Sequence, residues 1–163
     1  MQSGSEASFD GGDVMLIELT INNEVKKVRI SNSDYLSETL RDNGYKSVKR
    51  GCDKSTCGAC TVLLNDTPVL SCSFLSSRAE GQHITTLEGE LEEALILGQY
   101  IIDEGGDQCG YCTPSLALTT IAMKRELKNP TEAEIVHYIN GNLCRCSGYI
   151  SQLKGIKKYM GVK

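Results

Sequence analysis

The feature that most limits what this chain can become is its set of cysteines. Cys52, Cys57 and Cys60 are spaced C-x4-C-x2-C, and Cys72 follows after eleven intervening residues. Cys109 and Cys112 form a C-x2-C pair, Cys144 and Cys146 a C-x-C pair, so all eight cysteines fall into two groups of four. Such a set forces a choice between disulfides, zinc and iron–sulfur. The first eighteen residues carry no basic segment followed by an apolar run, and no stretch approaches the ~18 apolar residues of a membrane span. The expectation is a reducing, cytoplasmic setting, which disfavours structural disulfides. Zinc leaves C-x4-C-x2-C unexplained, and the 48 residues between Cys60 and Cys109 far exceed the spacing in a four-cysteine zinc ribbon. The first group instead has the spacing by which four thiolates hold a [2Fe–2S] core. Two clusters in series are the expectation.

Net charge is −4, and cluster binding makes the chain more acidic still. There is no basic stripe, so nucleic acid is not an expected partner. Lys154, Lys157, Lys158 and Lys163 crowd the carboxyl end and read as a solvated helix face. His83 and His137 read as surface or interface residues, because each cysteine group already supplies four thiolates.

Along the chain, Met1 to Asp13 is too polar to join a core and reads as a disordered tail. Alternation of Met15, Ile17, Leu19 and Ile21 with their neighbours predicts a strand; Asn22-Asn23-Glu24 turns it, and Val25, Val28 and Ile30 bring it back. Ser33 is placed to cap a helix over 34–43 that buries Leu36 and Leu40, with Gly44 as its stop. The cysteine loop comes next. Thr61–Leu64 and Val69–Cys72 read as strands joined by Asn65–Pro68, which would set Cys72 at a strand end. His83–Thr86 reads as an edge strand. This order is that of a ferredoxin-type β-grasp.

Near Leu87 the apolar period changes from two to 3.6. Leu91, Leu95 and Ile102, with Ala94, Gly98 and Ile101 between, predict the apolar stripe of a helix over 89–104. Thr113-Pro114 starts another, Thr131-Glu132-Ala133-Glu134 is a capping box for a third, and a fourth spans about 149–159. The fold class expected is α+β: a sheet domain over 14–87, then a helical [2Fe–2S]-binding domain, a four-helix bundle, over 88–163.

Chemistry fits these positions. Gly51 and Gly58 let backbone approach the first cluster, whose sulfurs can accept hydrogen bonds from loop amides; Gly110 supports the second loop similarly. Arg50, Lys49 and Lys54 add positive charge nearby. Cys109 and Cys112 precede the helix at Thr113, whose positive end favours thiolate. No nucleophile with its base, and no nucleotide loop, is visible.

With both groups in view the chain resembles the iron–sulfur subunit of the molybdenum hydroxylases, the xanthine dehydrogenase family. The likeness rests on Gly51-Cys52 with Cys57-Gly58-Ala59-Cys60-Thr61-Val62, on Gln108-Cys109-Gly110-Tyr111-Cys112-Thr113-Pro114, and on Gly141-Asn142-Leu143-Cys144-Arg145-Cys146-Ser147-Gly148-Tyr149, in that order. It spans about Val14 to Met160. It implies a hetero-oligomer in which this subunit relays electrons from a molybdenum-pterin centre on a large subunit, through two [2Fe–2S] clusters, to FAD on a medium subunit. It also implies that Cys52, Cys57, Cys60 and Cys72 hold the cluster nearer FAD, and Cys109, Cys112, Cys144 and Cys146 the one nearer the pterin. Gln108 and Cys146 match family residues that contact the pterin. The implied substrate is an N-heteroaromatic compound such as a purine or a nicotinate-like molecule. The same relay in a carbon-monoxide dehydrogenase, aldehyde oxidoreductase or aromatic-CoA reductase is the alternative, and a free-standing ferredoxin or redox sensor is the alternative of another class. Asp53-Lys54-Ser55-Thr56 and Ser115 depart from the glycines common in relatives, and Ser147 stands where threonine is commoner.

Overall fold

The computed structural model describes residues 14–162; the expected tail over residues 1–13, and Lys163, lie outside them. Strands β1 (Val14–Ile21) and β2 (Glu24–Ser31) pair antiparallel, with Ile21 opposite Glu24. Asn22 and Asn23 alone make the turn, at φ of 51° and 68°. A two-residue hairpin needs positive φ at both positions, and asparagine tolerates it. Glu24 therefore belongs to the strand and not to the turn.

The first helix, α1 (Leu36–Asp42), buries Leu36 and Leu40 as expected but begins later. Ser33 does not cap it. Asp34 instead accepts the Ser31 N–H at 2.7 Å, which ties off β2 and leaves Tyr35 at the helix start without a side-chain cap.

Strands β3 (Thr61–Leu64) and β4 (Thr67–Leu70) are joined by Asn65 and Asp66, again both at positive φ. This tight turn draws β4 two residues earlier than expected. Cys72 thus lies past the strand, in a 3-10 turn at Ser71–Ser73. Pro68 is accommodated because β4 is an edge strand.

The five-stranded sheet has the order β2-β1-β5-β3-β4. Strand β5 (His83–Thr85) was expected at an edge but sits in the middle, parallel to β1 and antiparallel to β3. There Ile84 pairs with Ile21 of β1 on one side and Leu64 of β3 on the other, and its side chain is fully buried. Ile17, Leu19, Ile21, Val28, Ile30, Leu36, Leu40, Val62 and Ile84 form one core beneath the sheet.

Four helices follow: α2 (Leu91–Asp103), α3 (Thr113–Glu126), α4 (Glu132–Ile139) and α5 (Ile150–Met160). Of the expected stripe of α2, Ile101 is buried, alongside Leu97, whereas Leu91, Leu95 and Ile102 are exposed. The face is set by α5, where Gly155 lies so close that a Cβ would stand 2.7 Å from the Ile101 Cα. The capping box is present: Thr131 Oγ1 accepts the Glu134 N–H, and the Glu134 carboxylate accepts the Thr131 N–H at 2.7 Å. Helix α3 is buried over most of its length, with Thr119 and Thr120 hydroxyls donating to carbonyls one turn back.

Leu97, Ile101, Leu116, Met123, Ile135 and Ile156 make a second core among the helices. Leu63 of β3 packs with Leu118 and Ala122 of α3 in a small apolar group joining the two halves. Polar bonds reinforce the junction. Glu88 accepts from the Ser47 hydroxyl at 2.5 Å, the Ser47 N–H at 3.0 Å and the Thr86 hydroxyl at 2.6 Å.

Candidate iron–sulfur sites

The structure gathers the eight thiols as two sets, and within each set as two pairs. In the first, Cys52 stands beside Cys57 and Cys60 beside Cys72. In the second, Cys109 lies against Cys146 and Cys112 against Cys144. A two-iron core asks for two thiolates at each metal, so the two-plus-two arrangement fits it. Among the described residues no three or more His, Cys, Asp or Glu side chains converge on one ion position.

Cys52, Cys57 and Cys60 of the first set lie on an irregular loop between α1 and β3, where Cys52 and Cys57 can be reached by backbone amides. Thr56 N–H points at Cys52 Sγ from 3.3 Å, and Ala59 N–H at Cys57 Sγ from 3.5 Å. Bonds from the Thr56, Lys54 and Cys57 amides lower the Cys52 thiol to about 6. Burial works the other way on Cys60, pushed up to about 11. Gly51 is required: its Cβ would come within 2.9 Å of Cys57 Sγ. Ser55, one of the departures from glycine, reaches positive φ (53°) and accepts a bond from the Cys72 thiol. Arg50 turns aside to Asp53, its Nη2 and Nε both donating to one carboxylate oxygen, at 2.8 and 3.0 Å. Lys49 lies over the Tyr111 ring, 4.9 Å from its centroid.

The second set stands at two helix starts. Cys112 is the residue preceding α3, which starts at Thr113 as expected, and the Thr113 hydroxyl donates to Asp107 at 3.2 Å. Helix polarity does not win at Cys112, whose thiol burial pushes up to about 11. Burial also raises Cys144, yet the Ser147 hydroxyl and amide, at 3.2 and 3.4 Å from its sulfur, bring it down to about 7. Cys109 and Cys146 are exposed. Gln108 does not point away as an ordinary turn residue would; its amide donates to the Cys146 carbonyl at 3.2 Å. Gly110, at φ 69°, makes the bend between Cys109 and Cys112.

The two sets are joined by their loops. Leu143, one residue before Cys144, donates its N–H to the Cys57 carbonyl at 2.9 Å. Tyr111, between Cys109 and Cys112, donates its hydroxyl to the Arg50 carbonyl at 2.8 Å. Gly58 makes this approach possible, since a Cβ there would stand 2.2 Å from the Gly141 carbonyl oxygen.

Sequence reasoning did not find Tyr111, Asn142, Tyr149 or Gln152 as site residues. Asn142 is buried with its side-chain N–H₂ unpartnered. Tyr149 accepts the Cys144 N–H at 3.2 Å, and Gln152 of α5 donates to Cys112 Sγ at 3.6 Å. Only the position of Tyr111 inside the C-x2-C pair could have marked it beforehand.

Comparison with known proteins agrees with this geometry. Residues 19–91 match the 2Fe-2S iron-sulfur cluster binding domain, and residues 86–157 the [2Fe-2S] binding domain. The chain is 42% identical over 137 residues to the nicotinate dehydrogenase small FeS subunit of Eubacterium barkeri, covering 82% of this chain and 87% of the relative. It is 43% identical over 141 residues to the xanthine dehydrogenase iron-sulfur-binding subunit of Escherichia coli O157:H7, covering 84% and 89%. Among solved structures, quinoline 2-oxidoreductase from Pseudomonas putida 86 superposes with a TM-score of 0.80 at 33% identity, over 88% of this chain and 90% of that one. These matches, on a fold that pairs eight thiols two by two, show that the chain belongs to the [2Fe–2S] small subunits of the molybdenum hydroxylase family.

Proposed function

We propose that this chain is the electron-relay subunit between a large molybdenum-pterin subunit and a medium FAD subunit of a cytoplasmic hydroxylase. Its substrate class is N-heteroaromatic, as the nicotinate and xanthine dehydrogenase relatives suggest. In this reading the division at about residue 87 separates two domains, each built around one set of four thiols. Cys52, Cys57, Cys60 and Cys72 hold the FAD-proximal cluster. Cys109, Cys112, Cys144 and Cys146 hold the pterin-proximal one, with Gln108 and Cys146 at the pterin.

The observation that carries the reading is the direct contact of the two loops, Leu143 N–H on the Cys57 carbonyl. A [2Fe–2S] cluster, when bound, supplies one-electron exchange with little change of geometry. The chain's residues fix the distance between the two sites. Gly58 allows the loops to touch, Tyr111 and Leu143 bond across, and buried Leu63 and Leu118 keep the halves in register. No described helix is long and apolar enough to cross a membrane.

The test is a Cys→Ser change in either set, made in the assembled complex. The expected result is retained substrate binding with slowed flavin reduction in stopped-flow absorbance. Flavin reduction at the wild-type rate would refute the relay. A panel of heteroaromatic, aldehyde and carbon-monoxide substrates on the purified complex separates the substrate classes.

A further inference from the structure

The second set of thiols is lopsided. Its inner pair, Cys112 and Cys144, is half-buried, whereas the outer pair, Cys109 and Cys146, is exposed. Side-chain donors gather on the inner pair alone. Gln152, itself only 5% exposed, aims Nε2 at Cys112 Sγ from 3.6 Å. Ser147 gives Cys144 Sγ both its hydroxyl, at 3.2 Å, and its N–H, at 3.4 Å.

The chain is bent to achieve this. Tyr149 has φ 71° and ψ −31°, and the Ile150 N–H bonds to the Gly148 carbonyl at 2.9 Å, a left-handed γ-turn. That conformation is costly for a residue with a side chain. It lets the Tyr149 N–H donate to the Ser147 hydroxyl at 3.1 Å while its phenol oxygen accepts the Cys144 N–H at 3.2 Å. The Ser147 hydroxyl, with its oxygen occupied, is left to donate to sulfur. One helical position further, the same turn starts α5 and brings Gln152 beneath Cys112.

We propose that Gln152 and Ser147, with Tyr149 as the residue that positions Ser147, make the Cys112/Cys144 half of the second site its electron-accepting half. The assignment rests on the relay reading above and deepens it. In that reading the large subunit covers Cys109 and Cys146 and removes their water, so fixed protein donors decide where negative charge settles. Hydrogen bonds to thiolate are worth more when the iron behind it carries the extra electron, because sulfur is then the stronger acceptor. With a cluster bound, Cys112 and Cys144 would hold the iron on which the electron delivered from the molybdenum-pterin centre settles, with no bond made or broken in the chain. From there it stands next to its exit, since Cys144 follows Leu143, whose N–H is on the Cys57 carbonyl.

The test uses the assembled complex, titrated with dithionite and followed by paramagnetic resonance. At a fixed ambient potential, Gln152→Leu and Ser147→Ala should each lower the reduced-to-oxidised ratio of the second cluster by roughly five-fold, the effect of losing one hydrogen bond. The first cluster should keep its ratio, and Ser147→Thr, which retains the hydroxyl, should restore the second. Should Gln152→Leu fail to assemble, the two Ser147 variants decide. Mössbauer spectra of the reduced protein, loaded with isotopically enriched iron and carrying Cys109→Ser, should show the ferric component altered and the ferrous one intact. Unchanged ratios in both variants, or an altered ferrous component in the Cys109→Ser protein, would overturn the assignment. Failure of the relay itself reads out separately, as a wild-type complex whose flavin is not reduced through the clusters.

Discussion

Leu143 N–H donates to the Cys57 carbonyl across 2.9 Å, and this bond spans the seam between the sheet half and the helical half. It exists because Gly58, at φ 71°, has no side chain to hold the Gly141 carbonyl away. Gly58→Ala combines an unfavourable φ with a Cβ 2.2 Å from that oxygen. The expected cost is about 3 kcal/mol, from a left-handed alanine and a clash that backbone must relieve. A lowered thermal midpoint, together with weaker magnetic coupling between the two clusters in paramagnetic resonance, is the measurement. Wild-type coupling would show that the loops do not depend on this glycine.

Tyr111→Phe removes the donor to the Arg50 carbonyl and keeps the ring beneath Lys49. Because the hydroxyl is at the surface, the loss should be modest, about 1 kcal/mol. Hydrogen–deuterium exchange should rise in the loop 50–60 and around 109–112, with the two sheet hairpins unaffected.

Gly155→Ala tests whether the halves stand independently. Its Cβ would come within 2.8 Å of the Tyr100 carbonyl oxygen, with no room for α2 to move without disturbing Ile101. A loss of about 2–3 kcal/mol is expected from such overpacking. On gentle heating the second cluster's resonance should fade first. Simultaneous loss of both resonances at the lower temperature would mean the halves melt as one unit.

The Glu88 carboxyl supplies the pH dependence of the junction. Burial raises its pKa, but the bonds from Ser47 and Thr86 outweigh it and hold the group below its ordinary 4.5. The unfolded chain therefore takes up the proton first, so the stabilisation is complete above about pH 4.5 and is lost as pH falls through the lower folded value. Wild type should exceed Glu88→Gln in thermal midpoint at neutral pH, and the gap should close as pH falls through the lowered folded pKa. A gap that persists in acid would remove Glu88 from this role.

The parts of the fold legible in the sequence are those set by short-range chemistry. The alternation before Ile21, the capping box at Thr131 and the C-x4-C-x2-C loop each appear where residue type alone places them. What was not legible depends on distant partners. Strand β5 is three residues long, and nothing local says that it enters between β1 and β3. The face of α2 is chosen by Gly155, over fifty residues away, so an apolar period drawn from α2 by itself selected Leu95 and not Leu97. The same reason hid Gln152, which meets Cys112 only after α5 has packed. Cys72 was misplaced for a smaller cause, a turn two residues shorter than its sequence suggested.

The strand synthesised last in the sheet occupies its centre, and this orders events during biosynthesis. Until His83–Thr85 leaves the ribosome, the hairpin ending at Ser31 and the hairpin beginning at Thr61 have unfilled inner edges and no common scaffold. The nascent loop bearing Cys52, Cys57 and Cys60 has no wall to hold its shape before then. The first site thus takes its final shape only once His83–Thr85 is in place, and the helices are then laid against a sheet already closed.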